Sequence, residues 1–406
     1  MADRAPRSVG PEGHFRACAR LDSAAVEFSG KPLRGAARDR TAAGERARLL
    51  IEQAEALEEP PEDPLLLFGV LSSFFTTSVA AFDGDAMRAL AAQTLALAQK
   101  QSAAVPLMMG HRQMAMSLML TGDAAKSRAH FDRAMVLYDP GKHRTLTARF
   151  GSDASVVTLL GRAWTMWFLG YPEAALRDAE SALAAARGFG EAATLMYALG
   201  NSLIVHILSG EHATADARAQ EQAIIAAEKD TPFWKAFAMM NQGCALALMG
   251  ASGRAVELLS AGIAATRTTN WLPFNLLHLA RAHAELGQFE DAWRRIYEAS
   301  ARAEKIKEKW CEAEVHRTAG DIGLMSPAPD TAKSEAHFKR ALAVARSQKA
   351  KSWELRAAMS LARLWRDQGR RDAARNLLAP VYGWFTEGFD TLDLKEAKAL
   401  LDALES

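Results

Sequence analysis

From about residue 47 onward, apolar and polar positions follow one another with the period of an amphipathic helix. Ala, Leu, Arg, Glu and Gln dominate. Runs of Val, Ile, Thr or Tyr at every second position, which a half-buried strand would need, are missing. Ala-rich runs favour helix because Ala loses no side-chain entropy on forming it. Pro and Gly punctuate at intervals, which predicts helices of roughly 12 to 18 residues joined by short turns.

A longer period lies over the helical one. Turn glycines separate helical patterns at Gly84, Gly122, Gly170, Gly210, Gly250, Gly287 and Gly369, at spacings of 38, 48, 40, 40, 37 and 82, the last being twice 41. The missing member falls near Pro329, in the segment SPAPD. Five residues after each glycine stands a small residue: Ala89, Ser127, Ala175, Ala215, Ala255, Ala292 and Ala374. Four residues later a packing residue follows in most units: Phe131, Ala179, Ala219, Leu259, Ile296 and Leu378. The interrupted unit fits the frame with Ser334 and Phe338, and unit 243–255 carries a second in-frame glycine, Gly243. This is the logic of tetratricopeptide repeats: a small residue where two antiparallel helices approach, and a larger one filling the space toward the next pair. The period is near 40 rather than 34, so the helices are expected to be longer than usual. Trp234, Trp271 and Trp353 each lie 16 residues before their turn glycine, and Trp310 is placed similarly. They are expected to anchor adjacent pairs.

The expected fold is therefore all-α: a tetratricopeptide-like right-handed α-solenoid of about eight helix pairs with a C-terminal capping helix. Residues 1–46 read as a basic, disordered or poorly packed head, residues 47–386 as the repeat array, and residues 387–406 as the cap that covers the last apolar face.

Composition narrows the function. The chain has 406 residues with 49 Lys+Arg against 48 Asp+Glu, a net charge of +1, so it offers no electrostatic footprint for nucleic acid. No run of 18 apolar residues marks a membrane span. The N-terminus lacks the apolar stretch of a signal peptide, which points to a cytoplasmic protein. Cys18, Cys244 and Cys311 are too scattered for a disulfide framework or a thiolate metal site.

Chemical motifs are equally sparse. Neither Gly30-Lys31 nor Gly141-Lys142 completes a phosphate-binding loop, and GxGxxG, HExxH and GxSxG are absent. The pairs His206/His212 and His278/His283 are spaced so that their rings point apart on a helix. The acidic pairs of EEPPEDP and the basic runs ARAEKIKEKW and FKRALAVARSQKAKSW read as solvated surface. No catalytic residue, metal ligand or cofactor is expected. The first helices of such an array line its concave side, where His111, Arg112, Asn201, His206, Asn241, Asn275, His278 and Arg317 are candidate contacts for a protein or peptide partner.

The stretch KSWELRAAMSLARLWRDQGRRDAARNLLAPVYGWFTEGFDTLDLKEAKALLDAL resembles the closing segment of bacterial multidomain proteins. These join a class III adenylate/guanylate cyclase, an ATPase of the signal-transducing NTPase type and a long tetratricopeptide-like tail. AFDGDAMRALAAQ, VPLMMGHRQM, TGDAAKSRAHFDRAMVLYDP, LGYPEAAL and RAHAELGQFEDAW extend the likeness over roughly residues 47–405. The likeness implies only the tail of that architecture. Neither the metal-binding aspartates of the cyclase nor the ATPase motif has a counterpart, so no cyclase or ATPase activity is expected.

The expected function is a non-catalytic interaction or regulatory module whose partner is a protein or peptide; the resemblance alone adds cyclase or ATPase signalling domains to the expected partners. The alternatives are a peptide- or small-molecule-sensing solenoid and the remnant of a disrupted cyclase gene.

Overall fold

The computed structural model describes residue 49 and residues 64–143, 146–147, 152–266 and 271–405. The expected head, residues 1–46, lies outside them. Among the described residues there are helices and no strands, and the helices pack as eight antiparallel pairs. The pairs are α1 (Pro64–Ala81) with α2 (Gly84–Gln101), and α3 (Ala104–Leu120) with α4 (Ala124–Leu137). After the single turn α5 (Pro140–His143) come α6 (Ala154–Phe168) with α7 (Pro172–Phe189), and α8 (Ala192–Leu208) with α9 (His212–Glu228). Then follow α10 (Pro232–Leu248) with α11 (Ser252–Ala265), and α12 (Leu272–Glu285) with α13 (Phe289–Ile306). The last pairs are α14 (Glu312–Met325) with α15 (Thr331–Ser347) and α16 (Lys351–Asp367) with α17 (Arg371–Tyr382), and α18 (Leu392–Glu405) ends the chain. The architecture is the tetratricopeptide-like all-α solenoid. No helix is long and apolar enough to cross a membrane among the described residues.

Local chemistry accounts for the boundaries. Asp83, Asp123, Asp153 and Asp330 accept hydrogen bonds from first-turn backbone N–H groups, which satisfies donors a helix start leaves open. Gly122, Gly170, Gly210, Gly250, Gly287 and Gly369 close the first helices at φ between +75° and +90°. In each turn the following N–H bonds a carbonyl five residues back, as from Tyr171 to Met166 at 2.9 Å and from Gln288 to His283 at 2.9 Å. Ala175, Ala215, Ala255, Ala292 and Ala374 are fully buried at the helix crossings, as is Ser127.

The first pair departs from the expected frame. Phe82, not Gly84, takes the left-handed position, with φ 40°. Gly84 opens α2, Ala89 is exposed, and the fully buried residues are Met87 and Ala91, five and nine after Phe82. The interrupted pair keeps the frame without a turn glycine, with Ser334 and Phe338 buried.

The solenoid also folds back on itself. Lys309 N donates to Leu120 O at 3.0 Å, and Ser352 Oγ to Trp167 O at 2.5 Å. Glu387 accepts from Ala174 N, and Glu173 from Gly388 N, both at 2.8 Å. At this closure Trp164 meets Trp271 and Trp310 (ring centroids 4.7 and 5.4 Å apart), while Trp167 meets Trp353 at 4.7 Å. Trp271, Trp310 and Trp353 thus join adjacent pairs and also face α6 across the superhelix. Trp234 stands apart with Tyr197, Phe233 and Phe237. The expected open concave surface is closed at this level by large aromatic side chains, whose burial is a major stabilising term.

Candidate functional site: a charged cavity inside the superhelix

Below the aromatic closure lies a cavity of about 420 Å³. Three first helices present one face each to it, at helical spacing: Phe274, His278 and Arg281 on α12; Glu314, Arg317 and Asp321 on α14; Arg356, Ser360 and Arg363 on α16. The end of α8 (Ile207 and Leu208), with His212 of α9, and α18 (Leu392, Asp393 and Glu396) complete the wall. The chain terminus therefore shapes the cavity as well as covering the last repeat.

The charges are paired in a network. Arg317 forks onto Glu314 at 2.8 and 2.6 Å and reaches Asp321 at 2.5 Å. Arg356 binds Asp393 at 2.8 Å and lies 3.8 Å from Glu314. Arg363 binds Glu396 at 2.6 Å. Burial works against ionisation of Glu314, but the Arg317 and Arg356 guanidinium groups outweigh it and hold the carboxyl at about 2.

His278 is the exception. It is 4% exposed, and neither ring nitrogen has a hydrogen-bond partner in the protein. Burial depresses its pKa to about 3, so at neutral pH it offers one N–H donor and one acceptor. Its ring stands edge-on to Phe274 with centroids 4.6 Å apart. Buried polar groups are ordinarily satisfied, so an imidazole with both nitrogens buried and unpartnered, on a residue that lines a cavity, is the candidate point of recognition.

Of the eight groove candidates, His278 and Arg317 line this cavity and the other six do not. His111 pairs with His130 through Nδ1 atoms 2.9 Å apart on the α3–α4 pair. Arg112 is buried near Tyr197 and Asp153. Asn201 donates to Tyr197 O at 2.8 Å, and its own carbonyl accepts from the Trp164 indole. His206 is held by Glu211 at 2.6 Å and faces Arg218. Asn241 donates to Gly200 O at 3.4 Å, and Asn275 to Trp271 O at 3.0 Å. These six lie outside the cavity, each set against neighbouring residues of the array.

Sequence reasoning missed Arg281, Glu314, Arg356, Arg363, Asp393 and Glu396. A signal existed: polar or charged residues recur at helical spacing on successive first helices, fully on α14 (Glu314, Arg317, Asp321) and in part on α12 (His278, Arg281) and α16 (Arg356, Ser360, Arg363). Such stripes ordinarily read as solvated faces, and here the closure covers them. Among the described residues no three His, Cys, Asp or Glu side chains converge as metal ligands. Cys244 and Cys311 are buried, with their thiols pushed upward by burial.

No protein-family model matches the chain. No curated protein sequence matches it. Solved structures do. A Rap protein complexed with competence and sporulation factor aligns over 96% of this chain and 99% of its own, at 10% identity and TM-score 0.60. The Rap conjugation gene regulator of plasmid pLS20, in complex with the Phr* peptide, aligns over 98% and 97%, at 11% identity and TM-score 0.51. A signal-transduction ATPase with numerous domains and a tetratricopeptide repeat sensor, from Pyrococcus horikoshii, covers 91% of this chain at 13% identity. Its TM-score of 0.36 gives the ATPase-tail resemblance no weight. At these identities the likeness is one of fold: the chain shares its helical-repeat fold with the two Rap proteins.

Proposed function

We propose that the protein is a non-catalytic sensor or interaction module that binds a short peptide or small polar ligand in the central cavity. The observation that carries this reading is His278, a lining residue of the cavity of about 420 Å³ whose two ring nitrogens are buried and unpartnered. That volume suits a small ligand, and the closure by Trp164, Trp167, Trp310 and Trp353 leaves little concave surface for a folded partner. One Rap structure is a complex with competence and sporulation factor and the other a complex with the Phr* peptide, which supports a peptide as the ligand class. The cavity is walled by the fourth to eighth pairs and the last helix together, so a ligand there would tighten the superhelix and change the outer surface offered to a partner. In the reading suggested by the sequence resemblance, this array serves as the sensory tail of a cyclase/ATPase signalling system in the cytoplasm.

The test is a thermal-shift and calorimetric screen of unmodified five- to seven-residue peptides against wild type, His278→Phe and Arg317→Gln. Peptides that bind wild type saturably should lose affinity in both variants. Equal binding to all three proteins, or no binding peptide, would count against the central cavity.

A further inference from the structure

A second cleft, of about 670 Å³, opens on the seam where early and late repeats meet. Its walls come from α4, the α6–α7 turn, the end of α15, the start of α16 and the loop after α17. Four cations line it, Arg128, Arg346, Lys349 and Lys351, against one carboxylate, Glu354. The site thus carries a positive excess even though the whole chain is nearly neutral.

Among the described residues, two of the cations are held by the carboxylate and two are free for a ligand or loosely paired. Lys351 Nζ and Arg346 Nε bind Glu354 at 2.7 and 2.8 Å. Lys351 Nζ lies 5.5 Å over the Trp384 ring, and the Arg128 guanidinium 5.2 Å over Tyr171. The two rings meet edge-on with centroids 5.6 Å apart. The aromatic groups therefore steer positive charge toward the cleft. Arg128 has a loose contact with Asp132 at 3.7 Å, and Lys349 makes no ion pair among the described residues. Gly170 lets the turn lie against this assembly: a Cβ there would come within 2.5 Å of the Trp384 ring and 2.9 Å of Lys351 Cβ.

We infer that this cleft binds a small multivalent oxyanion, a diphosphate group or a polycarboxylate. Four cations on one cleft, with Glu354 the single carboxylate among its lining residues, suit a ligand bearing several charges. The room exceeds what one monovalent ion fills. Charge-assisted hydrogen bonds from guanidinium and ammonium groups supply the recognition. The site is separate from the central cavity, so neither reading depends on the other.

Calorimetric titration of the full chain with inorganic pyrophosphate, citrate and sulfate, at low and high salt, tests the inference. Pyrophosphate or citrate should bind saturably, and more weakly at high salt. Lys349→Glu and Arg128→Glu, both on partly or fully exposed side chains that leave the core intact, should each lower affinity about tenfold or more by reversing one contact charge. Tighter binding of pyrophosphate assigns the site to phosphate groups, and tighter binding of citrate to polycarboxylates. The inference is overturned if neither anion saturates, if both variants bind as wild type does, or if sulfate binds as tightly. It is also overturned if His278→Phe abolishes the binding, which would place the anion in the central cavity.

Discussion

Arg356, in the middle of α16, donates through Nη2 to the backbone carbonyl of Leu208 at the end of α8, 2.7 Å away and 148 residues earlier. The same guanidinium lies 5.0 Å over the Trp167 ring and 5.3 Å over Trp353, and binds Asp393 on the terminal helix. One side chain thus joins an early repeat, a late repeat and the cap. Arg356→Ala should destabilise the chain by about 3 kcal/mol, because it leaves Asp393 without its cation, removes one of two cations from Glu314 and frees the Leu208 carbonyl. Arg356→Lys should recover little, since an ammonium lacks the planar fork and the stacking face. Urea melts of the three proteins measure this, and full recovery by Lys would contradict the fork-and-stack account.

His278→Phe should separate stability from binding. Replacing a buried imidazole whose nitrogens lack protein partners with an apolar ring removes an unsatisfied-polar penalty of about 1–3 kcal/mol. The unliganded variant should melt higher than wild type while losing peptide binding. A lower melting temperature would show that the imidazole contributes to packing in its own right.

Glu308 makes the aromatic closure sensitive to pH. It is fully buried, accepts from the Trp310 indole at 2.8 Å, and has its other carboxylate oxygen unpartnered. Burial pushes its pKa up to about 8, from an ordinary value of 4.5. The folded chain therefore keeps a proton that the unfolded chain releases. The associated stability is present below about pH 4.5, declines as pH rises, and is lost by about pH 8. Glu308→Gln should flatten this slope and be the more stable protein at pH 8. Parallel stability–pH curves for the two proteins would refute the assignment.

Two turn glycines should respond differently to alanine. Gly250 has φ +80° and open space around its missing Cβ, so Gly250→Ala should cost about 1–2 kcal/mol of left-handed strain alone. Gly170 has φ +90° and lies against Trp384 and Lys351. Gly170→Ala should cost clearly more, because the closure must shift as well. Equal losses in thermal melts would mean that the seam yields freely at this point.

The repeat frame was legible because it rests on local demands. A left-handed turn residue favours glycine, and a close helix crossing favours alanine, so Gly170 and Ala175 announce their roles within five residues of each other. The first pair shows where that reasoning fails. Phe82 takes the turn position because its ring is buried in the core, and burial of a large side chain outweighs the backbone strain. Gly84, two residues on, looked like the turn and opens a helix instead. The site was legible only in part. His278 and Arg317 were among the candidates, but nothing nearby distinguishes them from Asn241 or Asn275, whose side-chain amides bond backbone carbonyls.

By itself, the sequence determined the helical period, the turn chemistry, and with them the tetratricopeptide-like stack, all set by interactions a few residues apart. The tertiary structure alone decided that the stack closes, bringing Trp164 and Trp167 onto Trp310 and Trp353, and Arg356 onto Leu208. Those contacts join residues more than a hundred positions apart. They depend on small rotations accumulated from pair to pair, which no single repeat encodes. The closure turns a charged stripe that reads as solvated surface into the wall of a cavity, and makes the seam a second cleft.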